Sequence, residues 1–417
     1  MNHKSYFFDL IKLYFSLNIA YYFFVAPHFS YIGLISNFSL LNFFISIIII
    51  FFYGLIIKIN NYFLSSFLKI FFIVVSFIPV LTLFTFNAIN SLFVIHWVLF
   101  FLFFIILFNT TIKFKSIELL PITPKNVNLL VITFFSSLIY FSIFGLSLNT
   151  EYFNFFSSTL YEGREVFDQK MSALGVSRYF FSNFQNVFLP FLLAFGLINK
   201  NKSIIIISIL FFIYVFLNTT FKSILLTPLL IIGIYIFYNF NKIYLPSFIM
   251  KHTYKIILII CFVDYFLIFP FLNTVLTRRI FFLPGLVSEK YHTYFNENGF
   301  TYFSDLPFFE FFSSNPFTYS IPETIGRYFI YEEGYMNANF LADAYSKLGL
   351  LSVILYLIIL KLLISFSESS RNNKEDFIIF SLVVTPFIAL SNSSLTTTLF
   401  SHGLLLSLFV SSQIKKA

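Results

Sequence analysis

A chain of 417 residues with 59% hydrophobic and only 11% charged side chains, and a mean hydropathy of +0.87, has too little polar surface for a soluble globular domain. Its single cysteine, Cys261, lies in an apolar run, which excludes a disulfide framework and a thiolate metal site. The net charge of +8 comes mainly from lysines placed between apolar runs, and no nucleic-acid partner is expected.

Apolar runs of ~17–25 residues bounded by charge or turn residues are long enough to cross a bilayer, and about twelve are found. In chain order they lie near Tyr6–Ala26, Phe38–Ile57, Phe67–Phe86, Leu92–Thr110, Val127–Leu148, Arg178–Ile198, Ser203–Leu217, Ile224–Tyr238, Ile256–Asn273, Ala342–Leu363, Phe377–Leu390 and Leu395–Val410. The first run lacks a small-residue cleavage site and carries Asp9 and Lys12, so it reads as an uncleaved span. The pattern predicts an all-α polytopic membrane protein forming one membrane domain over 1–417.

Lysines fall in alternate connections: Lys58 and Lys69; Lys113, Lys115 and Lys125; Lys200 and Lys202; Lys242, Lys251 and Lys255; Lys361 and Lys374 with Arg371; Lys415 and Lys416. The positive-inside rule makes these loops and both termini cytoplasmic. The opposite connections are short except 149–177 and 274–341, and long loops in compact folds carry function. Arg164, Arg178, Arg278, Arg279 and Arg327 all fall on that outer side. A guanidinium fork suits phosphate or carboxylate oxygens there; pairing with Glu162, Glu165, Asp168, Glu289 and Glu323 is the structural alternative.

In the first long loop, an aromatic start could lie along the interface, followed by the charge cluster Glu162, Arg164, Glu165 and Asp168, which suits a solvated helix equally well. The second opens with "TRRIFFLPGLVSEKYHTYF". Arg278 and Arg279 fall at the expected outer end of the ninth span, with a turn at Pro284–Gly285. The pair either snorkels to headgroups or clamps a lipid-linked diphosphate, and Tyr291, Tyr294, Phe295, Tyr302 and Phe303 offer flat surfaces for sugars. The loop closes with "SSNPFTYSIPETIGRYFIYEEGYMNANF", which has no sustained period and predicts irregular structure.

Asp264, expected near the middle of the ninth span, is either a functional intramembrane carboxyl or a group hydrogen-bonded to a neighbouring helix. His96, alone in an apolar helix, reads as a satisfied core residue. No HExxH, clustered Cys/His or phosphate-binding Gly-rich loop is present, so an ATPase or zinc protease is not expected. At the tenth span, "NANFLADAYSKLGLL" begins with polar groups. Asn337 or Asn339 can cap it, Asp343 suits the positive dipole end, Lys347 follows at i+4, and Ala338, Ala342 and Ala344 allow close packing.

The many spans, the long late loop, "TRRIFFLPGLVSEKYHTYF" and "GYMNANFLADAYSKLGLLSVILY" together resemble the oligosaccharide repeat-unit polymerases, the Wzy-type O-antigen polymerases. The resemblance implies a GT-C-like glycosyltransferase of about twelve helices in the bacterial inner membrane, its active site facing the periplasm. It implies undecaprenyl-diphosphate-linked oligosaccharide as donor and acceptor, membrane lipid as surroundings, and a chain-length regulator and a flippase as partners. Family members depend on arginines in the two long loops, roles that Arg164 and Arg278 or Arg279 are positioned to fill; the arginine-to-glycine spacings here, Arg164 to Gly175 and Arg327 to Gly334, follow the family only loosely.

Transfer from a diphosphate builds negative charge on the leaving oxygen, which fixed cations stabilise, so Arg279, then Arg278 and Arg164, are the expected catalytic cations. His292, Glu289 and Glu323 are candidate bases, and Arg327, Tyr291, Asn339 and Asp343 candidate substrate contacts. With no DxD pair in the outer loops, no metal or other cofactor is expected. The alternatives are an O-antigen ligase, whose loop typically carries a histidine before a glycine-rich helix start where this chain has "NANFLADAY", or a lipid-linked oligosaccharide flippase, which would show an internal repeat that the halves lack.

Overall fold

The structure is a computed structural model that describes residues 4–414 except 60–61, 113, 115–158, 174, 176–177, 242–244, 307–315, 331–333 and 370–375. The described residues are mainly helical, with no strand among them. The predicted fifth span, Val127–Leu148, and Arg371 lie outside the described residues.

In chain order the helices are α1 (Tyr6–Ile32), α2 (Leu40–Ile56), α3 (Phe63–Thr85), α4 (Ser91–Asn109), α5 (Thr159–Ala173), α6 (Arg178–Ile198), α7 (Lys202–Thr219), α8 (Lys222–Asn241) and α9 (Leu245–Tyr265). A π-helical segment, Asn273–Phe282, runs directly into α10 (Leu283–Asn298). Then follow α11 (Ile321–Phe329), α12 (Phe340–Leu348), α13 (Leu350–Ser369), α14 (Asp376–Ala389), α15 (Leu395–Phe400) and α16 (Leu404–Gln413). Among the described residues, seven helices are long and apolar enough to cross a membrane: α1, α3, α4, α6, α7, α9 and the Leu350–Glu368 stretch of α13. The chain is a helical membrane protein.

Two compact units form. One comprises Met1–Ile112, Tyr244–Leu362 and Leu390–Leu395; the other comprises Lys113–Ile243, Leu363–Ala389 and Thr396–Ala417. In the first, α1 packs on α2 and α9, and α10 packs on α12, α11 and the end of α3. In the second, α6 packs on α7 and α14, and α14 on α16.

Asparagine and serine side chains start many helices by accepting hydrogen bonds from otherwise orphaned N–H groups. Ser39 Oγ accepts from Asn42 N at 3.3 Å, Asn90 Oδ1 from Leu92 N at 2.9 Å, and Asn201 Oδ1 from Ile204 N at 3.2 Å.

Several predicted boundaries move. The tenth span is two helices, because Gly349 takes φ +63° between α12 and α13; Ser352 Oγ then accepts from Leu348 N at 3.0 Å and closes the gap. The last span breaks at Gly403 (φ +78°), where an added Cβ would lie 2.5 Å from Val187 and 2.6 Å from Asn183. The ninth begins earlier and ends at Tyr265, so Lys251 and Lys255 are helical and Asp264 is at the helix end. Lys69 is not a loop residue: it is buried inside α3, donating to Asn109 Oδ1 at 2.6 Å and to the Lys58 carbonyl. Lys361 is likewise buried, its ammonium 5.2 Å from the centre of the Phe108 ring.

Candidate functional site

The described part of the late predicted loop is mostly helix, and its helices belong to the first unit. Pro284–Gly285 makes no turn. Pro284 follows the π-helical segment within one continuous helix, where it supplies no N–H to the ladder, and Gly285 lets the helix approach α3. A Cβ there would stand 2.9 Å from Val80 and 3.1 Å from Leu83. The segment expected to be irregular contains α11, which buries Ile321, Ile325 and Gly326. Gly326 meets the backbone of Gly334 so closely that a Cβ would fall 2.2 Å from it. Met336 N then donates to the Pro322 carbonyl at 2.9 Å, and the Tyr291 hydroxyl to the Met336 carbonyl at 2.8 Å, which seats this segment on α10.

Asp264 joins α9 to the arginine segment. One carboxylate oxygen accepts from Leu272 N at 3.0 Å; the other accepts from Asn273 N at 2.6 Å and Asn273 Nδ2 at 2.9 Å. Of its two readings, this is the structural one. Between the joined ends, Tyr265–Phe269 project outward, Ile268 fully exposed. Arg278 and Arg279 therefore do not cap the ninth span; they lie inside the following π-helix, a form that recurs at functional sites. The Arg278 guanidinium lies 4.0 Å from the Phe29 ring centre and donates to the Thr274 carbonyl at 3.3 Å, while Arg279 is exposed.

On α10, His292 is buried and meets His96 of α4, the two ring nitrogens 2.7 Å apart. His96, expected to be a solitary core residue, is instead half-exposed and paired. Tyr345 of α12 covers both rings, with centroids 4.8 Å from His292 and 6.4 Å from His96, and its hydroxyl donates to Asn296 Oδ1 at 2.7 Å. Asn296 Nδ2 is 3.3 Å from both nitrogens of His292. Burial, with the His96 ring beside it, lowers the His292 pKa to about 4, so His292 is neutral at pH 7.

Glu289 is buried one turn before, accepting from Thr293 Oγ1 at 3.1 Å and pairing with Lys290 at 3.2 Å. On α11, Glu323 takes two donors from Arg327 on one oxygen, at 2.8 and 3.0 Å, and Arg327 also covers the Tyr319 ring at 4.0 Å. Asn339 caps α12, accepting from Leu341 N and Ala342 N and donating to Ser288 Oγ on α10 at 2.8 Å. Asn337 is exposed. Lys347 is buried between Asp343, at 3.2 Å, and Asp305, with which it also pairs. Burial raises the Asp343 pKa despite Lys347. Burial would lower that of Lys347, but Asp343 and Asp305 reverse the direction and keep it charged.

α10 thus gathers Glu289, Tyr291 and His292, with Asn339 and Asp343 on α12 and Glu323 and Arg327 on α11 packed against it. It does not bring Arg279 to His292. The two are thirteen residues apart on one uninterrupted helix, roughly 20 Å at 1.5 Å per residue. Arg164 belongs to the other unit, where α5 buries Gly163, Phe167 and Met171 and leaves Glu162, Glu165 and Gln169 in solvent. The Arg164 guanidinium lies 5.5 Å from the Phe221 ring centre. Arg178 is exposed and bonded to the Tyr179 hydroxyl at 3.1 Å. No protein-family profile, characterised protein or solved structure matches the chain.

Proposed function

We propose that the chain is a membrane glycosyltransferase that polymerises undecaprenyl-diphosphate-linked oligosaccharide units on the periplasmic face of the bacterial inner membrane, for O-antigen or a related surface polysaccharide. The carrying observation is the helix that holds a cationic pair and, about 20 Å further along, His292, which pairs with His96 of α4. An acceptor in such a reaction has the same layout: a diphosphate at its lipid end and a nucleophilic hydroxyl on its far sugar.

Arg278, held against Phe29, and the exposed Arg279 grip the acceptor's diphosphate, and the projecting apolar residues from Tyr265 to Phe269 run beside its lipid. The hydroxyl reaches the His292 end of α10. Glycosyl transfer breaks the bond between the donor's anomeric carbon and its diphosphate oxygen, and the acceptor oxygen takes that carbon. Arg327, on the helix packed against α10, is the cation assigned to the departing diphosphate; it replaces Arg279 in that role because Arg279 is too far from the histidines.

The test is surface glycan resolved on a gel. Arg279→Ala is expected to collapse the ladder to a single repeat unit. Loss of every repeat from the core points instead to a ligase or a flippase, and an unchanged ladder removes Arg279 from the site.

A further inference from the structure

We infer that His96 is the group that removes the acceptor hydroxyl's proton, with His292 behind it as its positioning residue. The inference rests on the polymerase reading above. It reverses the roles that loop position alone assigns, and burial is the reason. His292 is 4% exposed and walled in by Phe93, Tyr345 and His96, so a sugar has no approach to it. His96 is half-exposed; its Nδ1 is taken by His292, leaving Nε2 as the nitrogen able to meet a substrate.

The hydrogen bonds specify how the pair works. At 2.7 Å between ring nitrogens, one imidazole donates and the other accepts, and no ion fits between them. Asn296 Nδ2 stands 3.3 Å from both His292 nitrogens; because His292 Nε2 is engaged with His96, Nδ1 is the nitrogen left to accept from that NH2, and in that tautomer His292 Nε2–H donates to His96 Nδ1 and His96 Nε2 carries the proton. With the amide turned over, its oxygen accepts from His292 Nδ1–H, its nitrogen donates to the Tyr345 oxygen, and His96 Nδ1–H donates to His292 Nε2. His96 Nε2 then has a free lone pair. The acceptor O–H bond breaks to that lone pair as the oxygen bonds to the anomeric carbon and the carbon–oxygen bond to the diphosphate breaks. The new charge rests on the His96 imidazolium, stabilised by neutral His292 as a carboxylate stabilises the histidine of a hydrolase triad. The low His292 pKa keeps the ring neutral at pH 7, so its Nε2 can accept from His96 Nδ1–H in this tautomer. The titratable groups on the packed elements are Asp343, Tyr345 and Lys347 on α12, Glu289, Lys290, Tyr291, Tyr294 and Glu297 on α10, Glu323, Arg327 and Tyr328 on α11, Lys69 on α3 and Tyr53 on α2; Asp343 with Lys347, Glu289 with Lys290 and Glu323 with Arg327 are ion pairs.

The experiment uses full-length protein in proteoliposomes, supplied with lipid-linked repeat units extracted from cells lacking the gene, and follows kcat and KM against pH. His96→Gln keeps a hydrogen bond to His292 but cannot take a proton. It is expected to lower kcat about 100- to 10,000-fold with little change in KM, and to remove the acid limb of the profile. His292→Gln is expected to lower kcat less and to displace the acid limb. Thermal unfolding in detergent and 15N spectra of the ring nitrogens establish that each variant folds and that the pair exists in the parent. A His96→Gln protein with the parental rate and acid limb overturns the proposal, as does a larger loss in His292→Gln than in His96→Gln. A parent that extends no lipid-linked unit at any pH overturns the polymerase reading and the proton role with it.

Discussion

α5 and α10 each fall in one of the two long predicted loops, and both are dense in charge, yet they use it in opposite ways. α5 has one apolar stripe, Gly163, Phe167 and Met171, and its carboxylates Glu162 and Glu165 face water. α10 is covered by α3, α4, α11 and α12, so Glu289, Tyr291 and His292 find their partners inside the protein. Charge density along a loop is therefore no guide to a site; what matters is whether neighbours prevent the polar groups from reaching solvent.

That contrast can be broken by experiment. The largest stability effect belongs to the buried network beside α10. Lys347→Met leaves Asp343 and Asp305 without their cation and is expected to cost about 3–5 kcal/mol, read as a fall in the detergent melting temperature. A melting temperature equal to the parent's would show that the network contributes no stability.

A smaller effect comes from pH. The folded-state pKa of His292 is about 4, below the ordinary ~6.5 of an unfolded chain. Below ~6.5 the unfolded state binds a proton that the folded state refuses, so stability falls with pH down to about 4 and then levels off. His292→Gln is expected to flatten that part of the melting-temperature curve; the same slope in the variant assigns the titration to another group.

The smallest effect is expected on α5. Glu162→Gln and Glu165→Gln each change stability by no more than about 0.5 kcal/mol, and the glycan ladder is unaltered. A shortened ladder from either would make the α5 surface part of the site.

Local signals read well from the sequence. The boundaries Arg178–Ile198 agree with α6, Asn339 caps α12, and Asp343 pairs with Lys347 one turn on, because an apolar run, a cap and an i+4 pair each depend on residues a few positions apart. Contacts between distant elements did not read. His96 and His292 are 196 positions apart, and no pattern around either announces the other. The breaks at Gly349 and Gly403 were missed for a different reason: a glycine in an apolar run is compatible with a continuous span, and only the packed structure selects the left-handed conformation. Arg279 and Arg327 fall in one predicted loop; the structure puts Arg279 in a continuous helix from residue 271 to 298 and Arg327 on the separate α11.

Asp264 makes a weld out of what would otherwise be a hinge. Three donors on one carboxylate fasten the end of α9 to the start of the arginine segment, so the intervening residues cannot lengthen or swing freely while those bonds hold. A pull on Arg278 or Arg279 is therefore passed along two rods at once, backward into α9 and forward into α10, and the arginines keep a fixed depth relative to both.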